Sequence, residues 1–470
     1  MSSPKIFFAR LRDIAGRLDP SFYSPQYREL DEALANCRYE CYDIRDLRIE
    51  VFQGVSRNLL ENDGIRLLKV KNILPDGSID FADTEPISDV PTNKILKDGD
   101  IISPFIGAAI KGYKFGYFED RGGERWSFDN NTGVFRNNDE RVLSRYLWSF
   151  FQLEITHRQL DRIIGGGGVP YLGTEYAKRL RVILPPLPEQ RKIVAELDAA
   201  YAAKRAADEN ATKLLASIDD MVLKELGIAK LPKPDTSLSS RIFTVPAKEV
   251  LNDRFDAHYN QNFFRDLADL IREDKRCCRL GSVGTFVRGV TYKSEDEAEC
   301  GHAILRANNV SLEKFELDLS DLVHVNSDLT FSPAQQIKDS DILICAASGS
   351  KEHAGKVAYV KNAPDDTYIG GFMMVLRTDA GVNPEYVAAY MQSSIFRGLI
   401  FRHLGGTNIN NVSLELLNKL PLILPDVAMQ DGIALKASSI RAEARKLKAD
   451  ATAALDAAKR KIEKSLINNK

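Results

Sequence analysis

Apolar residues occur along much of the chain in short runs that are bounded by Gly, Asp, Asn and Pro. Examples are IRLLKV, GDIISPF, ILRANNV, DILICAA and GKVAYV. Short apolar runs between such residues are typical of β-strands joined by turns. The pattern therefore predicts a β-rich region in each half of the chain.

Two longer segments have a helical pattern instead. From Ser144 to Leu160 and from Pro384 to Ile400, aromatic and aliphatic residues recur at steps of three and four. This spacing predicts one amphipathic helix in each segment, packed on the neighbouring sheet.

Two stretches rich in alanine carry a heptad pattern. The first seam comprises Ile193, Leu197, Ala200, Lys204, Ala207, Ala211, Leu214, Ile218 and Met221, and ends before Gly227. The second comprises Ile433, Ala437, Ile440, Ala444, Leu447, Ala451, Ala454 and Ala458. Alternating steps of four and three predict coiled-coil helices, and alanine lets two helices approach closely. We expect each helix to pair with the other; the alternative is that each lies on its own domain.

The chain contains an internal repeat with an offset of about 240 residues, which is the separation expected of two duplicated domains. The matched blocks are RLDPSFYSPQYREL with RFDAHYNQNFFRDL, LLKVKNIL with ILRANNV, KDGDII with KDSDIL, VFR with VLR, and IGGGGVPYLGTEYAKRLRVILP with LGGTNINNVSLELLNKLPLILP. Their order is the same in both copies. We therefore infer a duplication, and GIAKLPKPDTSLSS (227–240), rich in Pro, Ser and Lys, as the linker between the copies.

Composition favours a globular protein in a reducing compartment. Of 470 residues, 44% are hydrophobic and 28% charged, and no apolar run reaches the length of a membrane span. The apolar stretch near the N-terminus, Ile6 to Ala9, is shorter than a signal peptide core. Six cysteines form no repeated CxxC spacing. We expect a cytoplasmic protein with reduced thiols, no membrane partner and no metal.

The formal net charge of −2 lacks the strong positive field of a sequence-independent nucleic-acid binder. Any binding of nucleic acid must therefore be local or shared with a partner.

The sequence contains no catalytic motif that we recognise. SGSKEHAGKV (348–357) has the wrong glycine spacing for a phosphate-binding loop and lacks Ser or Thr after Lys356. The glycines at 165–168 are not followed by a βαβ pattern, and an acidic cluster at 295–299 has no counterpart in the first copy. We assign no catalytic residues.

Three surfaces are candidates for DNA binding, because Arg, Lys and Asn can bond to base edges and phosphates while glycines admit a backbone close to a phosphate. The first is a basic-amide segment present in both copies, namely Lys69, Lys71 and Asn72 with Arg306, Asn308 and Asn309. The second is the loop before the last strand of each copy, namely Gly166, Gly167 and Tyr171 with Thr407, Asn408 and Asn410. The third comprises Lys111 and Lys114 with Ser348, Ser350 and Lys351.

Each copy ends in a strand-like run followed by a proline-containing junction and a long helix. In the first copy this is VILPPLPEQRKIVAEL (182–197); in the second, VILPPLPEQRKI becomes LILPDVAMQDGI, which retains Pro425 and Gln430. This junction after a β-rich domain, present twice, resembles the specificity subunit of type I restriction-modification systems. The resemblance covers essentially the whole chain.

The resemblance implies an α+β fold: two tandem β-rich α/β target recognition domains, each followed by a long helix, with the two helices packed as an antiparallel coiled-coil spacer of pseudo-two-fold symmetry. It divides the chain into target recognition domain 1 (1–185), spacer helix 1 (186–227), a linker (228–240), target recognition domain 2 (241–425) and spacer helix 2 (426–470). Each domain would read one half of a bipartite, asymmetric site in double-stranded DNA.

By the same resemblance, the chain itself is not an enzyme and carries no cofactor. It would recruit two copies of a methyltransferase subunit, which binds S-adenosylmethionine, and an ATP-dependent restriction subunit. The expected docking residues lie at the junctions: Pro185, Pro186, Leu187, Pro188, Glu189, Gln190, Pro425 and Gln430. Pro188 and Glu189 also suit the first turn of a helix.

Two alternatives stay open from the residues. One is a self-contained DNA methyltransferase or nuclease with unrecognised motifs, which methyl transfer by the isolated chain would reveal. The other is a coiled-coil adaptor that binds proteins alone, which a salt-dependent DNA shift assay would separate from a DNA reader.

Overall fold

The computed structural model describes residues 20–56, 64–88, 90–164, 170–232, 235, 237–251, 254–311, 316–404 and 410–467. The chain divides into two compact units. Unit 1 comprises Met1–Ala207 and Ala449–Lys470, and unit 2 comprises Asp208–Lys448. The division into five segments stays a prediction.

Unit 1 combines short strands with helices. Its helices are α1 (Arg28–Ala35), α2 (Ser144–Phe151), α3 (Glu154–Ile164), α4 (Gly173–Ala177), the first part of α5 (Leu187–Leu226) and the last part of α11 (Val427–Ile467). Its strands are β1 (Cys41–Asp43), β2 (Ile49–Gln53), β3 (Ile65–Leu68), β4 (Glu85–Ile87), β5 (Ile101–Pro104), β6 (Gly116–Tyr117), β7 (Trp126–Phe128), β8 (Thr132–Asn137) and β9 (Arg181–Ile183). An antiparallel sheet has the order β2-β8-β5-β6, and a second sheet, β4-β3-β7, pairs β3 and β7 in parallel. Strand β1 pairs with β9, which leads into α5.

Unit 2 has the same construction. Its helices are the last part of α5, α6 (Ala247–Leu251), α7 (Asn262–Arg272), α8 (Pro384–Gln392), α9 (Ser394–His403), α10 (Leu414–Lys419) and the first part of α11. Its strands are β10 (Cys277–Arg279), β11 (Gly284–Arg288), β12 (Glu297–Ala298), β13 (His302–Leu305), β14 (Val323–Val325), β15 (Ile342–Cys345), β16 (Ala347–Ser348), β17 (Val357–Tyr359), β18 (Thr367–Ile369), β19 (Met373–Thr378), β20 (Asn410–Asn411) and β21 (Pro421–Ile423). The sheet β11-β19-β15-β17 repeats the order β2-β8-β5-β6 of unit 1. The sheet β12-β14-β13-β18 repeats β4-β3-β7 with one additional edge strand, β12, and β10 pairs with β21 as β1 pairs with β9.

The two predicted amphipathic helices are each two helices in the structure. A break after Phe151 separates α2 from α3, and a break at Ser393 separates α8 from α9. Ser393 has extended backbone with ψ 154°, and its hydroxyl accepts a hydrogen bond from the amide of Phe396. Such an N-cap starts a new helix, so the prediction of one continuous helix was wrong there.

Each unit has an apolar core between its antiparallel sheet and the paired helices. In unit 1, aromatic rings of the sheet pack on α2, with Phe135 and Phe151 in edge contact at 4.9 Å. The buried hydroxyl of Tyr146 donates to the carbonyl of Ile183, and Tyr386 bonds to Ile423 in the same way in unit 2. These bonds fix the strand before each long helix to the core.

A buried ion pair lies beneath each antiparallel sheet. Arg136 donates to both carboxylate oxygens of Asp100 at 2.9 and 2.6 Å, and Arg377 donates to those of Asp341 at 2.8 and 3.0 Å. Both are bidentate pairs, which fix geometry as well as charge. The side chain of Arg136 is 7% exposed and that of Arg377 is 24% exposed.

The long helices begin and end close to the predicted positions. Helix α5 ends at Leu226, and Gly227 follows with a φ of +72°, a conformation that glycine adopts without strain. In α11 the predicted seam position Ala454 is exposed, whereas Leu455 is 5% exposed. A straight helix drifts relative to a strict heptad, so burial moves by one residue there.

Candidate nucleic-acid interface

The basic-amide segments form a short turn after β3 and after β13. Asn72 is 2% exposed, and its side chain accepts from the amide of Lys69 and donates to the carbonyls of Asp80 and Ala82. Asn309 is 1% exposed and bonds in the same way, to the amide of Arg306 and the carbonyls of Asp318 and Asp321. Both amides are occupied within the turn, so they hold its shape rather than face outward.

The residues beside these asparagines are exposed or half-buried, and each has an acidic partner. In unit 1, Lys69 pairs with Glu85, and Lys71 pairs with Asp83.

The same arrangement recurs in unit 2. The amide of Asn308 donates to Asp321 at 2.6 Å, and Arg306 lies 3.8 Å from the same carboxylate. The predicted DNA-binding cations and amides are therefore present at equivalent places, with carboxylates beside them that lower the local positive charge.

A loop that sequence reasoning missed lies against each basic-amide turn. It comprises residues 129–131 in unit 1 and 370–372 in unit 2; we term it the tip loop. The amide of Asp129 donates to the carbonyl of Leu68 at 3.0 Å, and that of Gly370 donates to Leu305 at 2.9 Å. The sequence carried one signal: DNN and GGF differ, although the VFR and VLR blocks that follow them match.

The third predicted surface adjoins the tip loop. The carbonyl of Asn131 accepts from Phe105 and Ile106 at 2.8 and 3.2 Å, just before Lys111 and Lys114. In this stretch Lys111 is exposed and Lys114 half-buried.

In unit 2, the carbonyl of Phe372 accepts from Ala346 and Ala347 at 2.8 and 3.2 Å. Ser348 follows and is half-buried, while Ser350 and Lys351 are exposed. The structure therefore brings the first and third predicted surfaces together around the tip loop in each unit.

The second predicted surface is described in part. Gly166, Gly167, Thr407 and Asn408 lie outside the described residues. Tyr171 is 50% exposed and forms a bridge to Ile106. In unit 2 the backbone of Asn410 pairs with Ser348. The described ends of this loop therefore adjoin the third surface.

The junction glutamines are interior residues. Gln190 is 0% exposed; its oxygen accepts from the amide of Leu143 at 2.8 Å, and its nitrogen donates to Arg141 and Pro185. Gln430 is 2% exposed and repeats two of these bonds, to Asn383 and Pro425. The two junctions are thus equivalent in structure despite the altered sequence of the second.

Other predicted docking residues at the junctions differ in exposure. Pro186 and Pro188 are exposed, Leu187 and Glu189 are half-buried, and Pro185 and Pro425 are buried. Pro186, Leu187, Pro188 and Glu189 are therefore the predicted docking residues that a partner could touch.

Burial alters the acidity of some groups inside the units. Burial raises the pKa of the Cys41 thiol to about 12, which disfavours the reactive thiolate. Within the described ranges, no group of three or more His, Cys, Asp and Glu could hold a metal ion. Among the same residues, no helix is long and apolar enough to cross a membrane.

Part of the chain is similar to a known family. Residues 69–212 match the family model described as the type I restriction modification DNA specificity domain. This range contains the Lys69 turn, the tip loop of unit 1 and the first part of α5. This part of the chain is therefore similar to a specificity domain of the type I class.

Curated relatives point to the same class. The chain is 34% identical over 174 residues to the type I restriction enzyme StySPI specificity subunit of Salmonella potsdam, and 33% identical over 174 residues to the EcoKI specificity subunit of Escherichia coli K12. Each match covers 36% of this chain and 37% of the relative, so the chain spans little more than a third of the relatives it matches. These matches confirm the resemblance to type I specificity subunits.

A solved structure concerning complex assembly and conformational transition of the type I R-M system contains a similar chain. It is 16% identical, covers 90% of this chain and 95% of that chain, and has a TM-score of 0.44. A TM-score of this size does not establish a shared arrangement.

Proposed function

We propose that this chain is the DNA-reading subunit of a type I restriction-modification complex, in which unit 1 and unit 2 each read one half of a split, asymmetric site. The observation that carries this proposal is the convergence, in each unit, of predicted DNA-binding segments around one tip loop. The two units share the backbone hydrogen bonds at this place but not the exposed side chains. Equivalent frames with unlike side chains are suited to reading unlike half-sites.

We further propose that α5 and α11 pair as an antiparallel spacer. In support, Glu196 near the start of α5 pairs with Lys461 near the end of α11 at 2.7 Å in unit 1. In unit 2, Glu225 near the end of α5 pairs with Lys436 near the start of α11 at 2.7 Å. Helix α5 has 40 residues, so it measures about 60 Å at the usual rise per residue.

Methylation and cleavage are proposed to belong to partners. Two methyltransferase subunits would supply S-adenosylmethionine chemistry, and an ATP-dependent restriction subunit would cleave. The net charge of −2 and the carboxylates beside the candidate cations favour a shared DNA clamp over strong binding by this chain alone.

The test is to co-express the full chain with the methyltransferase subunit of the same system, purify the complex and sequence methylated adenines in DNA exposed to it. We expect a split motif with two unlike halves. The methyltransferase subunit without this chain serves as the control and should give no such motif. Methyl transfer by this chain alone, or a complex that methylates without a split motif, would contradict the proposal.

A further inference from the structure

Positions 131 and 372 are structurally equivalent in the two units. The carbonyls at these positions accept equivalent backbone hydrogen bonds. In addition, the backbone of each tip loop packs closely against a glycine. A Cβ added at Gly54 would lie 2.1 Å from the carbonyl oxygen of Asp129, and one at Gly289 would lie 1.9 Å from that of Gly370. The backbone of each tip loop is therefore fixed at both ends, so the Cα atom of its last residue has a defined position.

The side chains at this position have opposite chemistry. Asn131 is exposed and polar, whereas Phe372 is an aromatic residue that is 73% exposed. An asparagine can accept from and donate to one adenine edge, which a phenylalanine cannot do. A phenylalanine can contact a thymine methyl group or stack on a base.

A cavity beside Phe372 contains groups suited to a nucleotide. It measures about 660 Å³, and Phe372, Arg306, Asn308 and Tyr292 line it. The Nε atom of Arg306 is buried and has no hydrogen-bond partner among the described residues. A buried guanidinium N–H without a partner costs free energy, and an acceptor on a bound ligand would remove that cost.

We propose that Asn131 and Phe372 are specificity-determining residues of the two readers. Asn131 bonds to a base edge in the half-site of unit 1. Phe372 contacts a base with its ring in the half-site of unit 2, while Arg306 bonds to the same nucleotide. This inference rests on the proposed DNA-reading function, and it assigns the base contacts to a loop that carries no cation.

The test measures the methylation motif of complexes that contain Asn131→Ala or Phe372→Ala in the full chain. For Asn131→Ala, preference for the favoured base should fall about 5- to 100-fold at one position of one half-site. For Phe372→Ala, loss of an apolar contact with a thymine methyl group should lower the preference about tenfold at one position of the other half-site. Each variant should leave the opposite half-site unchanged. Exchange of the two side chains, Asn131→Phe with Phe372→Asn, should alter the preferred base at both positions.

Matched controls separate base reading from folding. Asn138→Ala removes an exposed asparagine just beyond the other end of β8, and Phe255→Ala removes a phenylalanine of unit 2 that is 77% exposed. Both should keep the wild-type motif. If the wild-type complex gives no split motif, the proposed function fails. If the wild type gives one and both tip variants retain it, this inference alone fails. Weaker methyltransferase binding by Phe372→Ala, with an unaltered motif in the complex that still forms, would make Phe372 a protein contact and overturn its assignment.

Discussion

Unit 1 and unit 2 share interior contacts and differ at their edges. The buried arginine-aspartate pair, the turn asparagine and the junction glutamine recur at equivalent positions in both. The tip loops do not: one carries DNN and the other GGF on the same backbone hydrogen bonds. The comparison therefore separates residues that maintain the shared frame from residues free to differ.

The interior contacts of the two units are not all identical, and their differences allow the two units to be distinguished by experiment. His157 of α3 occupies the place that Arg397 has in α9, three residues after the helix start in both. His157 stacks on Tyr113 at 4.3 Å, whereas Arg397 donates to the carbonyls of Ala354 and Glu352. His157 gains a positive charge when it is protonated in acid, whereas Arg397 stays charged.

The largest effect is expected from breaking the buried ion pairs. Asp100→Asn would leave a buried, uncompensated guanidinium and should destabilise unit 1 by about 3–5 kcal/mol. Asp341→Asn should cost unit 2 less, about 1–3 kcal/mol, because Arg377 is more exposed to water. Hydrogen exchange in urea, followed separately for peptides of each unit, measures both losses.

The matched controls are Asp98→Asn and Asp339→Asn, two residues earlier in each unit and exposed. Each should change the free energy of unfolding by less than about 1 kcal/mol. Equal losses for Asp100→Asn and Asp341→Asn would show that exposure of the arginine does not set the cost.

His157 should give unit 1 a pH dependence that the equivalent residue of unit 2, Arg397, does not give. Burial, together with the charge of Lys459, lowers the pKa of His157 to about 4 from 6.5. The unfolded chain therefore binds this proton first, and stability falls as pH drops from 6.5 to 4, by about 3 kcal/mol at most. In unit 2 the pKa of Arg397 is lowered by burial to about 10, so it contributes no change in this window.

His157→Gln is the comparison for this prediction and should reduce the loss of unfolding free energy of unit 1 at acid pH. Glu463 lines the same cavity, and burial raises its pKa, which acts in the opposite direction. Subtracting the variant's stability curve from that of the wild type isolates the histidine. A difference curve with no slope between pH 6.5 and 4 would contradict the assignment.

The junction glutamines should give a smaller difference. Gln190→Ala removes three hydrogen bonds and leaves buried backbone groups unpaired, which should cost about 3 kcal/mol. Gln430→Ala removes two and should cost about 2 kcal/mol. Thermal unfolding with unit-resolved hydrogen exchange is the measurement, with Lys192→Ala and Leu435→Ala as exposed controls. A neutral Gln430→Ala would mean that the second junction does not depend on its glutamine.

Much of the fold was predictable because local patterns and the repeat agree with it. Helix α5 begins at the junction prolines and ends before Gly227. The runs IRLLKV and DILICAA contain β3 and β15. The break at Ser393 was missed because the apolar spacing continues through it, while the cap depends on one serine hydroxyl. Ala454 was misplaced because heptad counting ignores helix drift.

The candidate site was predictable in composition but not in assembly. Lys71 and Asn72 were identified together, yet Lys71 is exposed and Asn72 is buried, because the side-chain amide of Asn72 forms hydrogen bonds within the turn. The tip loop has no basic residue in either copy, so a search for cations passes over it. Its place beside Leu68 and Leu305 depends on strand pairing between distant segments, which single-sequence patterns do not specify.

The smallest effect is expected from the ion pairs between the long helices. Glu196→Gln in unit 1 and Glu225→Gln in unit 2 each remove one exposed pair and should cost less than about 0.5 kcal/mol, because water screens such charges. The helices should remain paired, since Leu197 and Leu455 belong to the core of unit 1, and Ile218 and Ile433 to that of unit 2. Urea unfolding at low and high salt measures the change. A loss above about 2 kcal/mol for either variant would mean that charge, rather than apolar burial, holds the helices together.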